Sequence, residues 1–342
     1  MTGGETEKKH CRIPVFVPHM GCPHRCVFCD QRSISGCHAF DEAAVPHLIE
    51  TALATMPADR DIQIAFFGGS FTGIDRALAV RLLETATRYV RAGRVSSIRL
   101  STRPDLIDGE VLELLGRYPV RTVELGLQST DDRVLALSER GHTTRDCEAA
   151  CRAVRAAGFE LVGQMMIGLP GSDAATDSQT ARDIVAFGAT AARIYPTVVF
   201  ADTPLADRLR EGTYRPLSQD EAVRRAADAY EILSAGGVRC LRIGLCASEE
   251  LTDPSRAVAG PAHPALGELV LGEVRYRELV RLIREAGLCG RRVALELPER
   301  QVSQTVGQRR CNLERLQREY QTAVVSVKGV RGLDAPMVRP TE

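Results

Sequence analysis

Short runs of apolar, β-branched residues alternate with stretches of helical periodicity through the first two thirds of the chain. The runs at 13–18, 62–69, 95–104, 122–129, 160–170 and 191–200 predict strands, each followed by a helix-like segment. Helices are predicted over 76–91, 143–157 and 218–233; in the first, Leu78, Val80, Leu82, Leu83, Ala86 and Val90 fall broadly on one side. Six βα units with apolar strands imply a parallel sheet covered by helices, either doubly wound or curled into a barrel. Six units are fewer than the eight of a closed barrel, so the expectation is a partial (β/α)6 TIM-like barrel. Chemistry then belongs at the C-terminal ends of the strands, and the loops that follow them are the informative ones.

The rhythm breaks after residue 234. Residues 238–246 read as a strand, 252–263 as a Pro- and Gly-bearing loop, 265–285 as a long helix, 292–297 as a strand, 302–320 as a helical pattern and 323–327 as a strand. The expected organisation is a core domain over 12–235 and a small C-terminal α+β subdomain over 236–342. No low-complexity tract or repeat of fixed period separates them.

The balance of 44% hydrophobic and 26% charged residues excludes a disordered, collagen-like or coiled-coil chain. No apolar run reaches the roughly 18 to 20 residues that span a bilayer, and residues 1–11 are polar, without the apolar segment of a signal peptide. The expected setting is cytoplasmic, with no membrane. Net charge is zero, from 44 basic and 44 acidic side chains, but residues 270–342 carry fourteen Lys or Arg against nine Asp or Glu. Such an end could meet a polyanion; a solvated surface rich in arginine explains it equally.

Eleven cysteines, an odd number in such a chain, point to thiol ligands or buried thiols rather than a disulfide framework. Their spacing decides. After the first strand the chain reads Gly21-Cys22-Pro23-His24-Arg25-Cys26-Val27-Phe28-Cys29-Asp30-Gln31. Three thiols within eight residues can converge on a soft metal centre: an iron–sulfur cluster, zinc or copper(I). A structural zinc site wants four ligands, for which His19, His24, Cys37 or His38 could supply the fourth, but no distant CxxC pair exists. An electron-transfer cubane also takes four cysteines, so three leave one iron open, as in a catalytic site.

This C-x3-C-x2-C loop, after the first strand of a βα series, closely resembles the radical S-adenosylmethionine (SAM) superfamily. The resemblance implies a [4Fe-4S] cluster on Cys22, Cys26 and Cys29, whose open iron is chelated by the amino and carboxylate groups of SAM. Reductive cleavage of SAM then yields a 5′-deoxyadenosyl radical that abstracts a substrate hydrogen atom, with electrons from a donor such as flavodoxin or ferredoxin. The cofactor carries the hard chemistry and the protein orients it. Further segments are similar to the family's cofactor contacts: Phe67-Gly68-Gly69-Ser70-Phe71 for the methionine amino group, although many members have Glu in place of Ser70, and Ser101-Thr102-Arg103-Pro104 and Glu124 to Ser129 for ribose and methionine. Gln128 and Arg140, twelve residues apart, resemble a pair in oxygen-independent coproporphyrinogen III oxidase whose arginine binds the cofactor carboxylate. Phe28 and the 163–171 strand and turn would pack the adenine. The implied cofactor set is Phe28, Gly68, Gly69, Ser70, Arg103, Gln128 and Arg140; no catalytic residue is assigned.

Residues 123–130, 138–143 and 194–197 further resemble the radical domain of the Elongator catalytic subunit, over roughly 12–235. That enzyme modifies the wobble uridine of transfer RNA (tRNA), which makes tRNA a possible partner. Two departures put carboxymethylation in doubt: the Elongator subunit usually has a longer spacing between its first two cysteines, and no acetyltransferase-sized domain follows position 235. The chain therefore looks like the shorter bacterial Elongator-like radical proteins. A tetrapyrrole or a protein side chain is the alternative substrate, and a zinc-stabilised RNA-binding module without catalysis is the alternative of another class.

The segment 302–313, followed by Arg315 and Arg318, resembles a KH-type RNA-binding unit that has Arg310 where its second glycine would stand; a capping subdomain is the plainer expectation. Tyr195 and His263 could serve in proton or hydrogen transfer, or be structural. Cys37, Cys240, Cys246, Cys289 and Cys311 are expected as ordinary buried thiols, and Cys147 and Cys151 as helix packing.

Overall fold

The computed structural model describes residues 10–17, 20–30, 40–57, 59–246 and 248–341. Eight strands fall in its first part: β1 (His10–Val17), β2 (Asp61–Gly68), β3 (Ser97–Thr102), β4 (Val120–Gln128), β5 (Glu160–Ile167), β6 (Ala191–Pro196), β7 (Val199–Phe200) and β8 (Arg239–Ile243). Seven of them form one sheet in the order β1-β2-β3-β4-β5-β6-β8, every neighbour parallel, curled into a half-barrel. The sheet thus carries one strand more than the six expected. The strand expected to open the second part joins the sheet beside β6, and the run 191–200 splits into β6 and the short β7, which pairs with β9 (Ala257–Ala259) inside the expected loop.

Each sheet strand alternates. Ile13, Val15 and Val17 on β1, Ile98 and Leu100 on β3, and Val123, Leu125 and Leu127 on β4 are buried in the main core against the outer helices. Intervening positions point to the inner face, as the two-residue period of a strand requires. Helices start where the sequence supplies a cap: Asp75 accepts from Leu78 N ahead of Arg76–Arg91, and Thr143 with Asp146 and Ser218 with Glu221 form capping boxes ahead of Thr144–Ala156 and Gln219–Ala235. Each cap is worth about 1 kcal/mol.

The helix Leu266–Glu285 ties the two parts together. Its Leu266, Val270 and Val274 belong to the half-barrel core, while Tyr276, Leu279 and Ile283 belong to a second core with Val293, Leu295 and Leu297. That second core lies under a three-stranded sheet in which β10 (Arg292–Pro298) pairs parallel with β11 (Ala323–Val330) and antiparallel with β12 (Met337–Pro340). The helical pattern expected over 302–320 is broken at Gly307, at φ 75°, into helices Val302–Val306 and Cys311–Tyr320. Arg315 is engaged within the chain, by Glu273 at 2.6 Å and Glu319 at 3.0 Å. Among the described residues no helix is long and apolar enough to cross a membrane.

Candidate functional site

The loop carrying the three cysteines leaves the C-terminal end of β1 and is held from two sides. Val27 N donates to Ser138 O at 3.3 Å, and Leu205 N donates to Val27 O at 2.9 Å. Its start is pressed backbone to backbone against the turn after β2. A Cβ on Gly21, which sits at φ +73°, would meet Ser70 O at 2.2 Å, and one on Gly69 would meet Met20 O at 2.0 Å. Only glycine permits that approach. It brings Ser70 Oγ to 3.2 Å from Cys22 Sγ.

Arg140, buried, reaches the same loop from beyond β4: Nη1 donates to Cys26 Sγ at 3.0 Å and Nη2 to Gly126 O at 2.7 Å. Arg103 is fixed by Asp105 at 2.9 and 3.0 Å and donates to the Arg140 carbonyl. Burial raises the Asp105 carboxyl, but His142 and Arg103 outweigh it and hold it well below the usual range. Gln128 ends β4 at φ 67°, just past a register shift from Gly126, and its Oε1 accepts from Gln164 Nε2 at 3.1 Å. A bulge of this kind re-aims a side chain.

These elements surround one cavity of about 600 Å³. Cys22, Phe28, Cys29, Gly68, Gly69, Ser70, Arg103, Gln128 and Arg140 all line it. Cys26 alone of the expected set does not; it is buried, with Arg140 donating to its sulfur. Of the zinc alternatives, His19, Cys37 and His38 lie outside the described residues.

The residues present fit the implied cofactors. Burial, then Cys26 and Cys22, push the Cys29 thiol up to about 12, a cost that a bound cationic metal centre relieves. Among the described residues no three His, Cys, Asp or Glu side chains close on a single ion. A cluster does not ask for that, because each thiolate takes a different iron. Arg103 Nη1 and Arg140 Nε are buried without a partner, two free donors beside the cysteine loop of the kind that a carboxylate satisfies.

The cavity is also lined by Arg12, Arg193 and Arg242, which sequence reasoning passed over, and by Glu124, which lies in the 124–129 segment expected at ribose and methionine. Their signal was available as polar residues at inward-facing positions of otherwise apolar strands. Tyr195 faces the cavity, as considered from the sequence; its hydroxyl accepts from Arg193 Nη1 at 3.1 Å, and burial pushes it up to about 12. His263 does not line the cavity and accepts from Ala265 N at 3.1 Å, at the head of the long helix. Cys147 and Cys151 are buried in the main core. Cys246, Cys289 and Cys311 are exposed rather than buried, and Cys246 lines the cavity wall; Cys37 lies outside the described residues.

Residues 16–184 match the family model described as Radical SAM superfamily, and residues 189–276 match the one described as Radical SAM C-terminal domain. An uncharacterized protein of Methanocaldococcus jannaschii is 28% identical over 240 residues, 67% of this chain and 73% of its own. The tRNA uridine(34) acetyltransferase of Dehalococcoides mccartyi is 30% identical over 165 residues, 47% of this chain and 36% of its own, so this chain spans about a third of that relative. The solved structure of Methanocaldococcus infernus Elp3 with an N-terminal deletion is 22% identical, with a TM-score of 0.61, covering 83% of this chain and 64% of that one. That likeness is one of fold.

Proposed function

The chain belongs to the radical SAM superfamily and is a radical SAM enzyme, and on that premise we propose that Cys22, Cys26 and Cys29 hold a [4Fe-4S] cluster at the mouth of the half-barrel cavity. One observation carries the proposal: two of the three thiols line a single cavity with the Gly68 to Ser70 turn, Arg103, Gln128 and Arg140, and the third is gripped by that same Arg140. When bound, the cluster and SAM supply one-electron cleavage of the cofactor and, through it, hydrogen-atom abstraction from a substrate. The chain's own residues do the rest. The three thiolates would hold the cluster, Arg103 Nη1 and Arg140 Nε would offer their free donors to the cofactor carboxylate, Ser70 and its glycine turn would meet the amino group, and Phe28 would pack the adenine.

Like its family the enzyme needs an electron donor, and a flavodoxin or ferredoxin is the proposed one. tRNA is the proposed substrate, because several relatives bear the name tRNA uridine(34) acetyltransferase. The test is anaerobic reconstitution with iron, sulfide and zinc analysis, then a 5′-deoxyadenosine assay with dithionite and SAM, with and without tRNA. About four irons and four sulfides per chain are expected, with deoxyadenosine formed and its yield raised by tRNA. Replacing all three cysteines by alanine should leave folded protein without SAM cleavage. Zinc without sulfide, or cleavage that survives the triple replacement, overturns the reading.

A further inference from the structure

The cavity floor holds more positive charge than the described residues neutralise. Arg12 on β1, Arg99 on β3 and Arg193 on β6 gather around Glu124 on β4. Glu124 gives both oxygens to Arg193, at 2.9 and 3.0 Å, and approaches Arg99 at 3.6 Å. Arg12 makes no hydrogen bond or ion pair among the described residues and its Nε is buried without an acceptor, so Glu124 acts on it only as a more distant counter-charge. Arg99 Nη1 is buried without a hydrogen bond, with Glu124 at 3.6 Å and Glu160 as its counter-charges. Burial and then Arg193 lower the Arg12 guanidinium, and burial and then Arg12 lower that of Arg99 to about 10, so the cations crowd one another. Tyr195 accepts from Arg193, leaving its own O–H free to donate. Guanidinium groups that are half-buried or buried and only partly compensated favour a counter-anion.

Arg12, Arg193 and Tyr195 are not among the expected cofactor contacts. Arg12 lies five residues before the end of β1, Glu124 four before the end of β4 and Arg193 three before the end of β6. Their backbones therefore lie below the strand ends, although the Arg193 guanidinium rises to the Phe67 ring, 5.4 Å from its centroid, and Arg140 reaches down to Gly126 O. The same cavity joins both levels. Its volume of about 600 Å³ is that of a small-ligand pocket rather than of a groove for a polymer.

We propose that Arg12, Arg193 and Tyr195 form an anion subsite at the cavity floor, which takes the carboxylate or phosphate of a small-molecule reactant sharing the cavity with SAM. The assignment rests on the cavity being the reaction site. Guanidinium groups bind either oxyanion through parallel N–H donors, and the tyrosine hydroxyl adds a neutral donor. A tRNA substrate would reach the mouth, leaving the floor to this second reactant.

The test is calorimetric titration of the reconstituted, SAM-saturated holoenzyme with inorganic phosphate and, separately, with glutarate. One of the two should bind with a Kd below about 10 mM, and which one binds identifies the oxyanion. Arg12→Gln should weaken that binding about tenfold, Tyr195→Phe should weaken it to a lesser degree, and the affinity for SAM should move much less in both. Absence of binding of either anion to the wild-type holoenzyme overturns the proposal, with no dependence on how the variants fold. Equal binding in Arg12→Gln, or loss of SAM affinity in parallel, overturns it as well. Deoxyadenosine formed by the same wild-type preparation reports separately on the radical chemistry, so the two failures are distinguishable.

Discussion

Replacing Glu124 by Gln removes the carboxylate that Arg193 and Arg99 share, and its cost follows from the geometry. Glu124 is 3% exposed and Arg193 7%, with contacts at 2.9 and 3.0 Å, so the pair is shielded from solvent. Removing one partner of a buried ion pair costs about 3 to 5 kcal/mol, because the other charge stays buried and unpaired. Glutamine keeps the volume and one acceptor oxygen, which argues for the lower end, about 3 kcal/mol. With about 2 to 4 °C lost per kcal/mol in a domain of this size, the melting temperature should fall by roughly 6 to 12 °C. The assay is thermal unfolding by circular dichroism at pH 7, with Glu113→Gln as control. Glu113 pairs with Arg117 at 2.5 Å, but both side chains are about two thirds exposed, and a solvated pair contributes about 0 to 1 kcal/mol at most. A Glu124→Gln shift no larger than the control's would show that water screens the floor, and the case for an electrostatically unsatisfied cavity would fall with it.

Other consequences are checked more simply. Gly69→Ala would drive a Cβ to 2.0 Å from Met20 O and 2.8 Å from Val17 O, both backbone atoms that cannot rotate away. It should cost about 1 to 3 kcal/mol and lower the iron retained after reconstitution; wild-type iron content and melting would refute the close backbone approach. His142 is lowered by burial, then by Arg140 and Arg103, against the pull of Asp105. A depressed histidine binds its proton more readily when unfolded, so its contribution is complete above pH of about 6.5 and is lost as pH falls through its folded value. His142→Asn should flatten the fall in melting temperature as pH drops below about 6.5, and an unchanged slope would show that other groups carry it.

The two levels of the cavity differ in how far the chain announces them. The cysteine loop is contiguous, so Cys22, Cys26 and Cys29 can be read without knowing the fold, and Gly68 to Ser70 follows an apolar run that itself predicts a strand end. The seventh strand was seen as a strand but not as a member of this sheet. Its apolar pattern states burial, whereas its neighbour is set by how the chain returns after the helix Gln219–Ala235. The break at Gly307 had a sign in the glycine itself, but helical periodicity on both sides of it concealed the left-handed backbone of Arg309 and Arg310.

The floor is the harder case, and the reason is physical. Arg12, Arg99, Glu124 and Arg193 are single polar residues in or beside apolar runs, and no one run shows that they meet. Their meaning appears only when curling the sheet turns the inward positions of β1, β3, β4 and β6 toward one axis, where Glu124 meets three guanidinium groups. At that point the excess charge is a property of the assembly that no window of sequence contains. The proposed cluster ligands lie in one contiguous loop, while the floor residues are scattered over 182 positions of chain, from Arg12 to Arg193. Substrate choice in this enzyme is therefore to be sought at the floor, by varying Arg12 and Tyr195 while the loop of cysteines is left intact.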